Sequence, residues 1–322
     1  MKLFVAAQGL CAPEMAEVIE YARSKFDVVD TNNTGRILSP EEVEEIWDGY
    51  DGIVAGVEKY SAEMINRAPA SLKVIARNGI GYENIDINAA FARGIRITVT
   101  PGINNDAVAD LIIGDMLAIA RNIPYLDNCL KAGKYMRIIS HDLYRQTVGL
   151  IGFGAIGKAV AKRLYGFDCK ILAYDPRFDY ETAEKYGVKE ASLEEIFAES
   201  DFVSLGQPVL PETIGMVNEA RLRTMKKTAY IINAARCQLI NTEDLKKALK
   251  EGWIAGAALD AIEPFMMDDK ELLSLDNVIL SSHLGGHTVR CMHDMGHMAI
   301  DGAYAVLNGL DTTGLELTKS LY

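Results

Sequence analysis

The sequence predicts an α/β protein of two interleaved domains, each built on a parallel β-sheet. A chain of 322 residues exceeds what one hydrophobic core usually organises. Short β-branched runs alternate with helical patterns along the chain, and several runs are continuously apolar, as strands buried on both faces are. This alternation is typical of parallel sheets covered by helices.

Ten segments are predicted as strands: 2–7, 51–56, 72–76, 95–99, 147–152, 170–174, 202–206, 229–234, 255–260 and 277–282. Between the first four and the last six lies an amphipathic stretch, 104–122, which places Val108, Ile112 and Met116 on one helical face. A second amphipathic stretch, 289–307, follows the last strand. We interpret these two helices as crossings, so that the chain enters the second domain near residue 100 and returns near 290.

The charge balance restricts the partners. The net charge of −12 repels phosphate backbones and anionic lipid, so we expect neither nucleic acid nor a membrane surface as a partner. The most apolar stretch, 111–120, is interrupted by Asp115 and is too short to span a bilayer. A small-molecule substrate remains compatible with this composition.

A cytoplasmic location is expected. The first 17 residues contain only a short apolar run, too short for the core of a signal peptide. The five cysteines are scattered and form no C-x-x-C pair, which favours reduced thiols.

A glycine-rich loop follows the strand at 147–152. Gly152, Gly154 and Gly157 have the G-x-G-x-x-G spacing and open a predicted helix. In this setting the first glycine permits the tight turn, the second lets amides approach a pyrophosphate, and the third allows close helix–strand packing. The helix N-terminus adds partial positive charge for the anion. The loop therefore predicts a dinucleotide site.

An acidic residue ends the next predicted strand. Asp175 lies 18 residues after Gly157, close to the spacing of the acid that binds the adenosine ribose hydroxyls. A carboxylate there repels a 2′-phosphate, which favours NAD over NADP. Arg177 leaves the alternative open, since an arginine could receive that phosphate.

Three polar residues follow later strands. Arg236, Glu263 and His283 come after the strands at 229–234, 255–260 and 277–282. Ligands of parallel sheets gather at the carboxyl ends of strands, so these side chains are expected to converge beside the nicotinamide. Arginine grips a carboxylate with two hydrogen bonds, histidine exchanges a proton, and a carboxylate orients the imidazole. Together they predict interconversion of a 2-oxo acid and a 2-hydroxy acid.

The chain also resembles a known family, the D-isomer-specific 2-hydroxyacid dehydrogenases. The resemblance rests on RNGIGYENID (77–86), TPGINNDAVAD (100–110), TVGLIGFGAIG (147–157), INAARCQLIN (232–241), GAALDAIEP (256–264) and LDNVILSSHLGG (275–286). It implies a Rossmann nucleotide-binding domain, residues 101–289, inserted into a discontinuous flavodoxin-like substrate domain, residues 1–100 and 290–322. It also implies a homodimer.

The resemblance supports the assignment of site residues. It implies a catalytic set matching Arg236, a glutamate near Glu263, and His283, and a substrate carboxylate held by Arg236 and by backbone amides around Gly79, Ile80 and Gly81. The residues expected to contact the cofactor, NAD, are Gly152, Gly154, Ala155, Ile156, Gly157, Asp175, Pro208, Thr213, Ala234 and Asp260.

Three departures from the family pattern bear on these expectations. The active glutamate usually lies five residues after the aspartate matching Asp260, a position that Phe265 occupies here; a shortened loop would let Glu263 serve instead, and otherwise His283 lacks its acid partner. Cys237 replaces the glycine that usually follows the arginine. Gly206 and Gln207 replace the usual histidine and cysteine after the strand at 202–206.

The remaining histidines have less defined roles. His293 and His297 flank Asp294 in HDMGH, which is similar to the H-E-x-x-H of zinc hydrolases, but aspartate is shorter than the glutamate and no third ligand is evident. We therefore expect that no metal binds here and that His293 and His297 have structural roles. We expect His287 to line the substrate pocket or to lie in a surface turn, and we expect His141 to be exposed.

Two questions of function stay open at this point. The segment after the strand at 51–56 offers Gly56 and Glu58 with only Lys59 basic, so a phosphorylated substrate is disfavoured, and a small hydroxypyruvate- or pyruvate-like acid is expected. The alternative function is an NAD-sensing, corepressor-like interaction protein, because some members of the family act in that way.

Overall fold

The computed structural model describes residues 1–317 and divides into two compact units. One unit contains Met1–Asn104 and the chain from His287 onward, and the other contains Asn105–Gly286. These boundaries lie within a few residues of the predicted ones. The last five residues of the segment predicted as 290–322 lie outside the described residues.

The strands are parallel throughout both units. They are β1 (Lys2–Val5), β2 (Val28–Thr31), β3 (Gly52–Ala55), β4 (Val74–Arg77), β5 (Arg96–Thr98), β6 (Thr147–Ile151), β7 (Lys170–Tyr174), β8 (Val188–Glu190), β9 (Phe202–Leu205), β10 (Tyr230–Asn233), β11 (Gly256–Leu259) and β12 (Val278–Leu280).

The helices occupy the connections between strands. They are α1 (Ala16–Lys25), α2 (Pro40–Ile46), α3 (Ala62–Arg67), α4 (Ile87–Ala92), α5 (Asn105–Ala120), α6 (Ile123–Lys131), α7 (Ala155–Tyr165), α8 (Tyr180–Tyr186), α9 (Leu193–Glu199), α10 (Glu219–Leu222), α11 (Thr242–Glu251), α12 (Lys270–Leu273) and α13 (Val289–Leu307). No helix within 1–317 is long and apolar enough to cross a membrane.

The first unit is a five-stranded sheet in the order β2-β1-β3-β4-β5. This is the flavodoxin-like order, in which sequential strands spread to both sides of the first. Helix α13 returns to this unit and packs on β3 and β4 and against α1. Gly296 lets it come close, because a Cβ atom there would lie 2.6 Å from Val18 of α1.

The second unit is a seven-stranded sheet in the order β12-β11-β10-β9-β6-β7-β8. The order reverses at β6 and β9, and a reversal of this kind is where doubly wound sheets bind nucleotides. Apolar side chains cover both faces, and α5 packs against α7, β10 and β11. The predicted α/β fold class is confirmed.

Two strands escaped prediction. The side chains of β2 alternate between exposed and half-buried, and only Val188 of β8 is buried. Both strands lie at a sheet edge, so neither has the continuous apolar run that identifies the central strands.

Candidate active site

The glycine loop of the second unit has the shape of a dinucleotide cradle. Gly152 has φ of +114°, and a Cβ atom there would lie 2.7 Å from the Gly206 carbonyl oxygen. A Cβ atom on Gly157 would overlap the carbonyl of Gly152, whereas one on Gly154, just before α7, would meet nothing within 4 Å. The loop thus packs tightly inward and stays open outward, which fits a pyrophosphate at the start of α7.

Asp175 is fixed beside this loop at the end of β7. Its carboxylate accepts hydrogen bonds from the backbone N–H of Phe153 at 2.8 Å and of Arg177 at 2.8 Å. The half-buried acid is therefore held in place next to the cradle, while Arg177 is exposed. This arrangement suits ribose hydroxyls better than a 2′-phosphate.

The other predicted cofactor residues lie around the same strand ends. Ala155 and Ile156 begin α7, and Ala234 follows β10. Thr213 closes the loop after β9: its hydroxyl donates to the Pro208 carbonyl at 2.7 Å and accepts from the Leu210 N–H at 2.8 Å.

Arg236 is presented by a turn that a buried amide organises. Asn233, the last residue of β10, is 1% exposed; its side chain donates to the Arg236 carbonyl at 2.9 Å and accepts from the Ala235 N–H at 3.1 Å. The Arg236 guanidinium donates to the Ala235 carbonyl and lies close enough to Glu263 to act on its ionisation.

His283 lies on a loop held by Asp260. The Asp260 carboxylate is fully buried and accepts from the Ser281 hydroxyl at 2.6 Å, the Leu284 N–H at 2.7 Å and the Gly285 N–H at 2.9 Å. Its carbonyl accepts the His283 N–H at 2.7 Å, and His283 has φ of +59°. Asp260 was expected to contact the cofactor. Its carboxylate is instead buried and hydrogen-bonded to the loop that carries His283.

Glu263 is the acid that meets His283. Its Oε1 lies 3.8 Å from His283 Nδ1, an ion-pair distance that is too long for a hydrogen bond. The His283 imidazole lowers the pKa of the Glu263 carboxyl, Arg236 adds to this effect, and partial burial opposes it. Phe265 is 70% exposed. Of the two alternatives, the structure therefore brings Glu263, not Phe265, to the histidine.

Cys237 lies beside this group without a defined chemical task. Its thiol is 3.4 Å from the Gln238 side-chain oxygen. Burial and the charge of Glu263 raise the pKa of the Cys237 thiol, which makes it a poor nucleophile near neutral pH.

In the first unit, the predicted carboxylate-binding loop follows β4. Gly79 has φ of +145°, and its N–H is donated to the Arg77 carbonyl at 3.0 Å. Within residues 1–317, the N–H groups of Ile80 and Gly81 donate to no protein acceptor. The prediction that all three amides bind substrate therefore narrows to Ile80 and Gly81.

The other histidines form no metal site among the described residues. His297 stacks on His293, with ring centroids 4.3 Å apart, and on Tyr21 of α1 at 4.1 Å. Burial lowers the pKa of His297, and neighbouring His293 lowers it further. His287 lies near Gly9, and His141 is exposed.

Comparison with known proteins identifies the family. The model of the D-isomer specific 2-hydroxyacid dehydrogenase NAD binding domain matches residues 113–285, more than half of the chain. The chain belongs to this family. It is 38% identical over 301 residues to a glyoxylate reductase of Pyrococcus furiosus, covering 90% of this chain and 89% of the relative. A glyoxylate reductase of Thermofilum pendens is 42% identical over 261 residues, covering 78% and 76%.

Solved structures agree with this assignment. A D-lactate dehydrogenase with NAD+ from Lactobacillus jensenii matches with a TM-score of 0.79 at 26% identity, covering 99% of this chain and 100% of that one. As a member of the family, the chain is an NAD-dependent oxidoreductase of the CH–OH group that reduces 2-oxo acids. The alternative of an NAD-sensing interaction protein is not favoured.

Asp115 is a buried residue near the site that the sequence analysis did not assign to it. It lies in the apolar helix α5, is 7% exposed, and its Oδ2 is buried without a hydrogen-bond partner among the described residues. Burial and the charge of Asp260 raise the pKa of Asp115 to about 7. Its signal in the sequence was an acid within an otherwise apolar helical face.

Asp115→Asn is expected to stabilise the protein most at alkaline pH. The folded-state pKa is raised from 3.8 to about 7, so ionisation costs stability increasingly between these values and the cost stays constant above about pH 7. The gain from the substitution should reach a few kcal/mol at pH 8 and be small at pH 4.5, as measured by urea unfolding. An equal gain at both pH values would contradict the assignment.

Proposed function

We propose that the chain reduces a small, unphosphorylated 2-oxo acid, with glyoxylate as the first candidate, and that Arg236, Glu263 and His283 carry the reaction. The observation that carries the proposal is the approach of Glu263 to His283 on neighbouring strand ends, within electrostatic reach of Arg236. Glyoxylate is chosen because the relatives from Pyrococcus furiosus and Thermofilum pendens are glyoxylate reductases.

The roles follow from the chemistry of each group. Arg236 binds the substrate carboxylate and polarises the adjacent carbonyl, because its planar fork makes two parallel hydrogen bonds. In the first unit, the N–H groups of Ile80 and Gly81, which donate to no protein acceptor within residues 1–317, are the donors proposed for a substrate carboxylate. When bound, NADH supplies the hydride that reduces the carbonyl carbon. Protonated His283 gives its proton to the carbonyl oxygen, and in the reverse direction neutral His283 takes the hydroxyl proton.

Glu263 supports His283 as the proton donor. Its carboxylate faces Nδ1, so it favours the imidazolium and leaves Nε2 to the substrate. At 3.8 Å it acts as a charge, and a small movement of either side chain would make a hydrogen bond. Asp260 fixes the backbone of His283, so only the ring needs to adjust.

The two units divide the work in this proposal. The unit Asn105–Gly286 binds NAD, with the glycine loop and Ala155 at the pyrophosphate, Asp175 at the adenosine ribose, and Ile156, Pro208, Thr213 and Ala234 along the cofactor. The other unit provides the substrate loop. This assignment follows the predicted domains, in which residues 101–289 bind NAD and residues 1–100 with 290–322 bind the substrate.

The first test is turnover of NADH with glyoxylate, hydroxypyruvate and pyruvate. His283→Ala should lower kcat by roughly 10²–10⁴-fold because it removes the proton donor. His141→Ala, at an exposed histidine, is the matched control and should retain wild-type rates. Full activity in His283→Ala would refute its role, and a wild-type protein inactive on every 2-oxo acid would refute the proposed function.

Glu263→Gln should shift the pH profile of reduction. Removing the carboxylate removes a negative charge that stabilises the imidazolium, so the rate should fall at a lower pH than in the wild type. The readout is kcat/KM between pH 5 and 9. Phe265→Gln is the control two residues away, on a side chain that faces solvent. A profile unchanged by Glu263→Gln would show that this carboxylate does not act on the histidine.

We also propose a homodimer, with a second copy covering the exposed apolar residues of segment 135–139. Tyr135 is 83% exposed and Ile139 is 100% exposed in a stretch without helix or strand, and such clusters mark interaction surfaces. Light scattering should give twice the chain mass of 35.3 kDa, and Ile139→Asp should reduce it to the single-chain mass. A wild-type monomer would refute the dimer.

The cytoplasmic location stays a prediction.

A further inference from the structure

A cluster of polar side chains, with Glu58 and Tyr60 buried and Arg77 half-buried, adjoins the substrate loop of the first unit. Strands β3 and β4 are parallel neighbours, with Ala55 opposite Arg77, so the residues after them meet at one edge of the sheet. Glu58 lies three residues after β3, and Arg77 is the last residue of β4. We define Glu58, Tyr60 and Arg77 as the sub-loop cluster.

Glu58 points under its own turn. It is 1% exposed, and its Oε2 accepts the Gly56 N–H at 2.7 Å. The Asn84 amide fixes the turn by donating to the Gly56 carbonyl at 3.2 Å and to the Glu58 carbonyl at 2.6 Å. The carboxylate therefore cannot contact a substrate directly, whereas it was expected near the position that a substrate phosphate would take and that its charge would disfavour.

Arg77 supports the loop from behind. Its guanidinium donates to the Asn78 carbonyl and lies where a side chain on Gly79 would be, 2.7 Å from an ideal Cβ position. The positive charge thus lies beside Gly79, next in sequence to Ile80 and Gly81, whose N–H groups we assign to the substrate carboxylate. A charge so close to an anion site in a half-buried setting contributes strongly to anion binding.

The two charges act on one another. Burial raises the pKa of the Glu58 carboxyl, and the charge of Arg77 opposes this rise. Tyr60 is fully buried; burial raises the pKa of its hydroxyl, Glu58 raises it further, and Arg77 lowers it. All three side chains therefore share one electrostatic environment. In it, an ionised Glu58 offsets the positive charge of Arg77.

We propose that Glu58 is a specificity-determining residue that acts through Arg77: its buried carboxylate offsets the guanidinium, so the loop holds one substrate carboxylate but gains nothing from a second anionic group. This inference rests on the proposed function and adds a cause for the proposed preference for unphosphorylated acids. Glu58 is a positioning residue, because it touches neither substrate nor cofactor.

The test compares two four-carbon probes, oxaloacetate with two carboxylates and 2-oxobutyrate with one. Glu58→Gln, which keeps the shape but removes the charge, should raise the ratio of kcat/KM for oxaloacetate over 2-oxobutyrate about tenfold, through KM. The rise should shrink in 0.5 M KCl because salt screens exposed charges of the substrate. Tyr60→Phe, equally buried, is the control and should leave the ratio within about twofold.

Arg77→Gln gives the opposite expectation and serves if Glu58→Gln does not fold. It leaves the negative charge without its partner, so the ratio should fall and KM for both acids should rise. A ratio unchanged by Glu58→Gln, a rise of equal size in Tyr60→Phe, or a rise in Arg77→Gln would overturn the inference. Wild-type reduction of glyoxylate separates these results from failure of the proposed function.

Discussion

The buried carboxylate of Asp260 is the contact on which the rest of the site depends. It follows β11 directly and binds three groups of the loop that follows β12, so two neighbouring strands share one polar anchor. His283 is thereby held with positive φ, a backbone conformation that few residues adopt without support. A catalytic group on a fixed backbone loses little conformational entropy when substrate arrives.

The same device recurs at the neighbouring strand. Asn233 ends β10 as a buried side chain and ties the turn that carries Arg236, just as Asp260 ties the loop that carries His283. Glu263 is treated differently: its side chain is partly exposed and lies at ion-pair distance from its partner. The backbone turns that carry Arg236 and His283 are therefore tied by buried polar side chains, whereas Glu263 and His283 approach each other through partly exposed side chains.

Sequence reasoning was strong where the physics is local. The central strands, the glycine loop with its acid, and both crossing helices follow from continuous apolar runs, a fixed spacing and helical periodicity, and α13 begins and ends where its pattern predicts. It was weak where tertiary contacts decide. The strands β2 and β8 owe their existence to a neighbour, not to their own composition.

The tasks of buried polar residues were the hardest to predict. Asp260 was expected at the cofactor and Glu58 near the position of a disfavoured substrate phosphate, and both side chains are buried. The N–H of Gly79 was expected to bind substrate, but it donates to the Arg77 carbonyl. In each case the residue type was informative, but only three-dimensional neighbours determine whether a polar group faces a ligand or another part of the chain.

The displaced glutamate has a consequence for how enzymes of this kind are recognised. By its resemblance to the family pattern, Phe265 occupies the position of the usual acid, and it faces solvent, while Glu263 lies 3.8 Å from the imidazole and two residues earlier. A search that requires an acid at the position of Phe265 would classify this chain as an inactive homologue. A carboxylate can therefore meet the imidazole from a different position along the polypeptide, because the distance in space and not the spacing in sequence sets the interaction.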